Sequence, residues 1–141
     1  MAKLHNLIKY RRHTLEEKRK MLAILNTELE VLRAEKKTLL DKLAAEKNLA
    51  AVDVDIARNF GIYLNRVLRE CGELDLKISQ KLEEVQAATH VVQDAYLEVK
   101  KLEVTQDRRD QEEEDRLDRI EVNTLDEIGI ENYRRKDEGL I

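Results

Sequence analysis

The side chains that could do chemistry are few and scattered along this chain of 141 residues. His13 and Glu17 have the i,i+4 spacing that puts two side chains on one helical face. Two such ligands do not make a metal site, because protein zinc sites use three or four. The only serine, Ser79, has no neighbouring histidine in the sequence, and the four glycines form no phosphate-binding loop. We therefore expect no catalytic site, no metal and no cofactor, and a protein that is not an enzyme.

The composition is typical of long helices. Charged residues make up 40% of the chain and aromatic residues 4%, and proline is absent. The apolar residues are periodic, which disfavours disorder. The sequence contains no apolar stretch long enough for a membrane span and no secretory signal. The net charge of −4 argues against nucleic-acid binding. These observations predict a cytoplasmic protein without membrane insertion.

Two apolar stripes with heptad spacing predict a coiled coil. The first stripe includes Ile8, Leu15 and Leu29, and the second runs from Ala57 through Val67 to Leu102. The lone Cys71 falls on the second stripe, where we expect a buried thiol, with a reactive thiol as the alternative. Several polar residues also occupy positions on the stripes, where long side chains either reach outward to solvent or fix the register of the helices. These residues are Arg11, Lys18, Lys36, Glu46 and Lys81.

The two stripes have nearly equal lengths on either side of residue 53. Residues 52–56 alternate β-branched side chains with Asp, a poor helix-forming mixture, and Asp53 or Asp55 could cap a second helix. We therefore predict an all-α fold, an antiparallel two-helix coiled-coil hairpin that is a monomer when free. Helix 1 is expected at about 4–51, the tip at about 52–57, and helix 2 at about 58–128, ragged to 141, in one domain. The alternative is a straight helix that forms a generic dimeric scaffold.

Helix 2 is longer than helix 1, so its C-terminal part is expected to form a helical overhang. Residues 103–141 carry fourteen acidic and seven basic side chains, and ion pairs such as Glu112 with Arg116 would support a solvated helix. Leu117 and Ile120 begin a short apolar stripe there. An overhang with such a stripe is a candidate docking surface, because a helix without a partner is marginal.

The region after the tip combines aromatic and aliphatic side chains. Phe60 lies on the second stripe, and Tyr63 lies beside it with Val67 one turn further on. An exposed pair of Tyr63 and Val67 could anchor a partner. The alternative is ordinary packing near the tip.

Three segments of the chain resemble the FliJ family of the bacterial flagellar type III export apparatus. The first is Leu7–His13 with Glu17–Arg19, and the second is Asn59–Arg66. The third consists of Lys100–Glu103, Arg108 with Arg109, and Glu121 with Leu125–Ile128. The order and spacing of the three segments along nearly the whole chain carry the resemblance.

The resemblance implies a stalk protein that inserts into the hexameric flagellar export ATPase and promotes its assembly and activity. It also implies contact with the export gate membrane protein and with export chaperones, at the inner-membrane base of the flagellum. An injectisome secretion system with an equivalent stalk remains an alternative.

The resemblance also assigns residues to two surfaces. Phe60, Tyr63, Val67 and Glu70 would belong to the surface that contacts the gate, and Glu70 stands where the family has small or apolar residues. The paired ends of the helices would enter the ATPase ring. The residues expected at that end are Leu7, Tyr10, Arg11, Arg12, Arg108, Arg109, Leu117 and Ile120.

Overall fold

Two long helices account for nearly all of the described chain. The computed structural model describes residues 2–139, with α1 at Ala2–Ala50 and α2 at Val54–Gly139 and no strand within that range. The prediction of an all-α antiparallel hairpin is confirmed, and the straight continuous helix is wrong. The chain divides into two compact units. We call Arg11–Leu97 the hairpin unit, and residues 2–10 with 98–139 the terminal unit.

The turn between the helices is held by backbone hydrogen bonds and one cap. The N–H of Asp53 donates to the carbonyl of Leu49 at 3.0 Å. The Asp53 carboxylate accepts from the N–H groups of Asp55 at 2.9 Å and Ile56 at 3.4 Å. Asp53 is therefore the N-cap of α2, one of the two candidates from the sequence. Because this cap satisfies the first free N–H groups, α2 begins at Val54, and the tip is shorter than the expected 52–57.

The hairpin unit buries one row of apolar side chains between α1 and α2. Leu15 and Leu29 of α1 and Val67 and Leu74 of α2 are buried there. Cys71 is buried in the same row, which confirms the expected buried thiol. The rows match the heptad stripes, since that spacing keeps the same face of each helix toward its neighbour.

Two lysines on the stripes reach carboxylates of the opposite helix. Lys36 Nζ lies 2.6 Å from an oxygen of Asp75, and Lys81 Nζ lies 2.7 Å from an oxygen of Glu28. Each pair joins α1 to α2, so it supports the antiparallel arrangement. The hydrogen bond to Asp75 raises the pKa of Lys36, and the hydrogen bond to Glu28 raises the pKa of Lys81. Lys18, by contrast, is exposed on the helix surface.

The terminal unit combines a short buried contact with a long exposed helix. Ile8 of α1 and Val99 of α2 are buried, and every residue of 107–139 is exposed. The helix continues through Gly129 to Gly139, past residue 128 where the sequence predicts a ragged end. Residues 140 and 141 lie outside the described range.

Ion pairs between residues three or four positions apart lie along the exposed part of α2. Arg116 pairs with Glu113 at 2.6 Å, and Arg135 pairs with Glu131 at 3.0 Å. The expected pair of Glu112 with Arg116 is wrong, because Arg116 turns to the i−3 carboxylate, and Glu112 lies 4.0 Å from Arg108. Hydrogen bonds from Arg116 lower the pKa of Glu113 below its ordinary value. Such exposed pairs contribute little to stability singly.

Candidate functional site

An open groove lies beside the turn of the hairpin unit. We call it the tip groove; its volume is about 390 Å³. It combines apolar and aromatic side chains with two carboxylates. The lining residues are Glu46 from α1 and Asp55, Ile56, Asn59, Phe60 and Tyr63 from α2. The groove brings together two of the four residues expected at the gate-contacting surface, Phe60 and Tyr63.

The Tyr63 ring is held by a neighbouring cation. The guanidinium carbon of Arg66 lies 5.3 Å from the centre of the ring, a cation–π distance. Tyr63 is half-buried rather than exposed, so one part of the ring packs and the other faces the groove. A half-buried tyrosine at a groove is a good contact for a partner, because tyrosine is enriched among the residues that dominate binding energy.

Val67 does not form an exposed pair with Tyr63. Its side chain is only 1% exposed, the lowest value among the buried side chains of the core. The expectation of an exposed Val67 is wrong. Val67 also belongs to the second apolar stripe, and the heptad spacing turns it toward α1. It packs under the surface that carries Tyr63.

Glu70 lies at a second, larger groove of the hairpin unit. This middle groove has a volume of about 580 Å³ and an apolar floor that includes Leu39 and Leu74. Its full lining is Val31, Ala34, Glu35, Thr38, Leu39, Glu70, Glu73, Leu74 and Lys77. Glu70 is thus separated from the tip groove, although it lies two turns after Tyr63 on the same side of α2.

The middle groove was not predicted from the sequence. The heptad spacing of the stripes includes Leu39 and Leu74 but gives no sign of an opening beside them. The signal that could have revealed it is the small side chains Ala34 and Thr38, which flank the stripe on α1 and leave room above the core.

The residues expected at the ATPase end are distributed over both units. In the terminal unit, Leu7 and Tyr10 are exposed on α1. On α2 of the same unit, Leu117 is 53% and Ile120 49% exposed, and Arg108 and Arg109 are exposed. In the hairpin unit, Arg12 is exposed and Arg11 is half-buried.

The described residues offer little for metal chemistry. Within residues 2–139, no group of three or more His, Cys, Asp or Glu side chains is arranged to hold a metal ion. His13 Nε2 and Glu17 Oε1 lie 3.1 Å apart as an exposed pair. Over the same range, neither helix has a stretch long and apolar enough to cross a membrane.

Comparison with known protein families gives a match over nearly the whole chain. A family model described as "Flagellar FliJ protein" matches residues 1–138. No curated protein matches the chain. No solved structure matches it either. The family match spans nearly the whole sequence and confirms the resemblance carried by the three segments, so this chain belongs to the flagellar FliJ protein family.

Proposed function

We propose that this protein is a non-enzymatic stalk of the flagellar type III export apparatus, which inserts into the hexameric export ATPase and promotes its assembly and activity. Membership in the FliJ family makes it a protein of flagellar export, and the match over residues 1–138 is the observation that carries the proposal. The stalk would be cytoplasmic, at the inner-membrane base of the flagellum. It would also contact the export gate and the export chaperones.

The helical architecture suits a stalk. In the hairpin unit, the two paired helices joined by a three-residue turn make a stiff element whose outward faces are mostly charged or polar. A protein that works inside a ring needs stiffness, because a movement at one end reaches the other end only if the protein does not bend. It also needs a surface that does not adhere strongly to the ring.

The proposed ATPase contact uses the exposed side chains of the terminal unit. Leu117 and Ile120 are exposed apolar residues that follow the acidic run of residues 110–115, and Leu7 and Tyr10 are exposed on the same unit. Arg108 and Arg109 add positive charge to the acidic segment. Arg11 and Arg12 belong to the hairpin unit and are proposed as ATPase contacts of that unit. Tyr and Arg are enriched among the side chains that dominate the binding energy of protein interfaces.

The proposed gate contact uses the tip groove. Phe60 and Tyr63 supply the aromatic surface, and Glu46 and Asp55 give the groove an acidic rim. Glu70 would form a separate polar edge at the middle groove. Val67 would act indirectly, by holding α2 against α1 beneath Tyr63. A gate segment with an apolar side chain next to a basic one would fit this groove.

The ATPase contact is tested with purified components. Adding the protein to the export ATPase should raise both the hexamer fraction and the rate of ATP hydrolysis. A variant with Leu117→Gln and Ile120→Gln should lose most of this stimulation. The matched control, Val122→Gln with Ile130→Gln, changes exposed apolar residues elsewhere on the same helix and should retain it. Absence of stimulation by the unmodified protein would contradict the proposal.

The gate contact is tested by a substitution of Tyr63, with a substitution of the neighbouring Ile62 as the matched control. Tyr63→Ala should weaken binding to the cytoplasmic part of the gate protein and reduce flagellar export. Ile62→Ala alters a residue that is exposed and outside the groove lining, so binding should be kept. Helix content should be equal in both variants. Equal gate binding by the two variants would remove Tyr63 from the proposed surface.

A further inference from the structure

Another groove of the hairpin unit contains none of the residues in the proposed ATPase and gate contacts. It has a volume of about 330 Å³ and lies between Arg19 of α1 and residues 92–97 of α2, and we call it the arginine groove. Its lining from α2 is Val92, Gln93, Tyr96 and Leu97. Leu97 is 55% and Tyr96 42% exposed, so two large side chains with apolar surface face solvent beside a guanidinium.

The two walls of the arginine groove differ in charge. Residues 11–20 of α1, around Arg19, carry five basic and two acidic side chains. Residues 85–97 of α2 carry no Lys or Arg, and their only acidic residue, Asp94, is outside the lining. The groove therefore has one apolar wall and one positively charged wall. Such a surface is complementary to an apolar segment that carries carboxylates.

Arg19 has donors for a partner although it already contacts a carboxylate. Its Nη1 donates to Glu16 Oε1 at 2.8 Å, one turn earlier on α1. Both side chains are about half exposed, and an exposed pair of this kind contributes little to stability. A guanidinium has five N–H donors, so the contact with Glu16 does not exhaust them. A second carboxylate can therefore bind Arg19, and the exposed Lys20 offsets the charge of Glu16.

The position of the groove favours a helix as its occupant. Because the groove lies between two paired helices, a third helix can lie along it with its apolar stripe against Val92 and Leu97. A helix satisfies its own backbone hydrogen bonds. An extended segment would leave N–H and C=O groups facing these apolar side chains, and α1 and α2 offer no sheet edge to pair with them.

We propose that the arginine groove binds an amphipathic helix of another protein, with carboxylates beside its apolar stripe. A Leu or Ile of that helix packs against Tyr96 and Leu97, and a Glu or Asp about one turn away binds Arg19. The contact involves few side chains, so its dissociation constant is on the order of 10–100 µM. The binding is a property of the hairpin unit and does not depend on the proposed export role.

A second copy of this chain is a less favourable occupant. Its acidic segment, residues 110–115 with Leu117 and Ile120 beyond them, would have to enter the groove in a head-to-tail contact. Such contacts join different surfaces of successive copies and lead to open chains unless a rotation closes them. A separate partner helix fills the groove without this consequence.

The chemistry of the occupant is tested with two synthetic helices that differ only in charge. Both carry the same Leu stripe and a neutral dye, and the positions beside the stripe are Glu in the acidic probe and Gln in the neutral probe. In fluorescence anisotropy with the full chain, the acidic probe should bind with a dissociation constant on the order of 10–100 µM. The neutral probe should bind at least fivefold more weakly.

The net charge of the chain makes this comparison strict. At −4, the protein as a whole repels the acidic probe, so a preference for Glu over Gln requires a local basic site. Absence of saturable binding by the acidic probe, or equal binding of the two probes, would overturn the proposal.

One pair of variants tests the contribution of the guanidinium. Arg19→Gln should weaken binding of the acidic probe at least fivefold and change the neutral probe less than twofold, because only the carboxylate contact is lost. Arg33→Gln removes the same charge from an exposed position of α1 outside the lining, and it should change neither probe by more than twofold. Equal effects of the two substitutions on the acidic probe would overturn the proposal.

A second pair tests the apolar wall. Leu97→Gln should weaken both probes at least fivefold, since both use the Leu stripe. Val91→Gln changes an exposed apolar residue of α2 outside the lining, and it should leave both affinities within twofold. Circular dichroism should show equal helix content in the two variants. Equal affinities of Leu97→Gln and Val91→Gln for the acidic probe would overturn the proposed contact.

The same arginine variant separates two other occupants. Sedimentation equilibrium of the chain alone, up to about 1 mM, should show no self-association that Arg19→Gln removes. Vesicles of phosphatidylcholine with about 30% phosphatidylserine should not carry down the native chain in a manner that depends on Arg19. Self-association that depends on Arg19 would identify a second copy as the occupant, and sedimentation with vesicles would identify an anionic lipid surface. Either result would overturn the proposal of a partner helix.

Discussion

The deepest side chain of the hairpin unit gives the sharpest test of the packing. Val67 is 1% exposed, and Val67→Ala removes two methyl groups from between the helices. The lost burial costs about 1.6 kcal/mol, at about 0.8 kcal/mol for each group. The cavity adds up to about 1 kcal/mol, and the better helix propensity of Ala returns about 0.5 kcal/mol. We expect a net loss of about 1–2 kcal/mol in the free energy of unfolding.

Val91→Ala is the matched control for this loss. Val91 is 44% exposed on the same helix, so the gain in helix propensity is the same while less burial is lost. Its effect should lie within about 0.5 kcal/mol of zero. Denaturant unfolding followed by circular dichroism at 222 nm measures both variants. If Val67→Ala and Val91→Ala unfold at the same denaturant midpoint, Val67 is not buried between the helices.

Two further predictions concern the pairing of the helices. The pKa values of Lys36 and Lys81 are raised in the folded protein, so their stabilising contribution is complete below about pH 10.5 and is lost as the pH rises through the higher folded values. The midpoint temperature of thermal unfolding should therefore fall more steeply between about pH 9 and 12 for the native chain than for a variant with Lys36→Gln and Lys81→Gln. Equal slopes of midpoint temperature against pH would contradict this. Spin labels at Leu15 and Val92 of one chain, diluted with unlabelled protein, should lie within about 20 Å, whereas a straight helix would separate them by about 115 Å.

The sequence predicted the helices and the core because one physical rule decides both. Heptad spacing turns the same side of each helix inward, and Leu15, Cys71 and Val99 are buried as that rule requires. The same rule accounts for the error at Val67. A valine on the stripe cannot also belong to an exposed pair, and its stripe position determined its burial.

The grooves and the ion pairs needed three-dimensional information. A groove opens where small side chains such as Ala34 stand beside a large core residue, and that depends on the pairing of the two helices. Lys81 has acidic neighbours at several spacings, and only the structure shows that it reaches Glu28 on the other helix as well as Glu84 on its own. The spacing of charges along one helix does not determine which of these carboxylates Lys81 binds.

The lysines on the stripes also bear on why the chain folds back. In a straight parallel dimer, Lys36 would face Lys36 of the other copy, and Lys81 would face Lys81. In the hairpin each lysine meets an acidic side chain of the opposite helix. A parallel dimer is therefore disfavoured by repulsion at two core positions.

An extended antiparallel dimer is a closer competitor, because it would reproduce every contact between α1 and α2 of the hairpin unit. Only the turn distinguishes the two, through the cap by Asp53 and the hydrogen bond from its N–H to Leu49. Replacing residues 52–54 by three alanines removes the cap and favours a continuous helix. We expect this variant to exchange helices between chains and form a dimer of high helix content, since hinge changes of this kind cause domain swapping. The mass should be that of a dimer at about 10 µM, where the native chain is expected to be a monomer. A monomeric variant of unchanged stability would show that the turn sequence does not decide between the two folds.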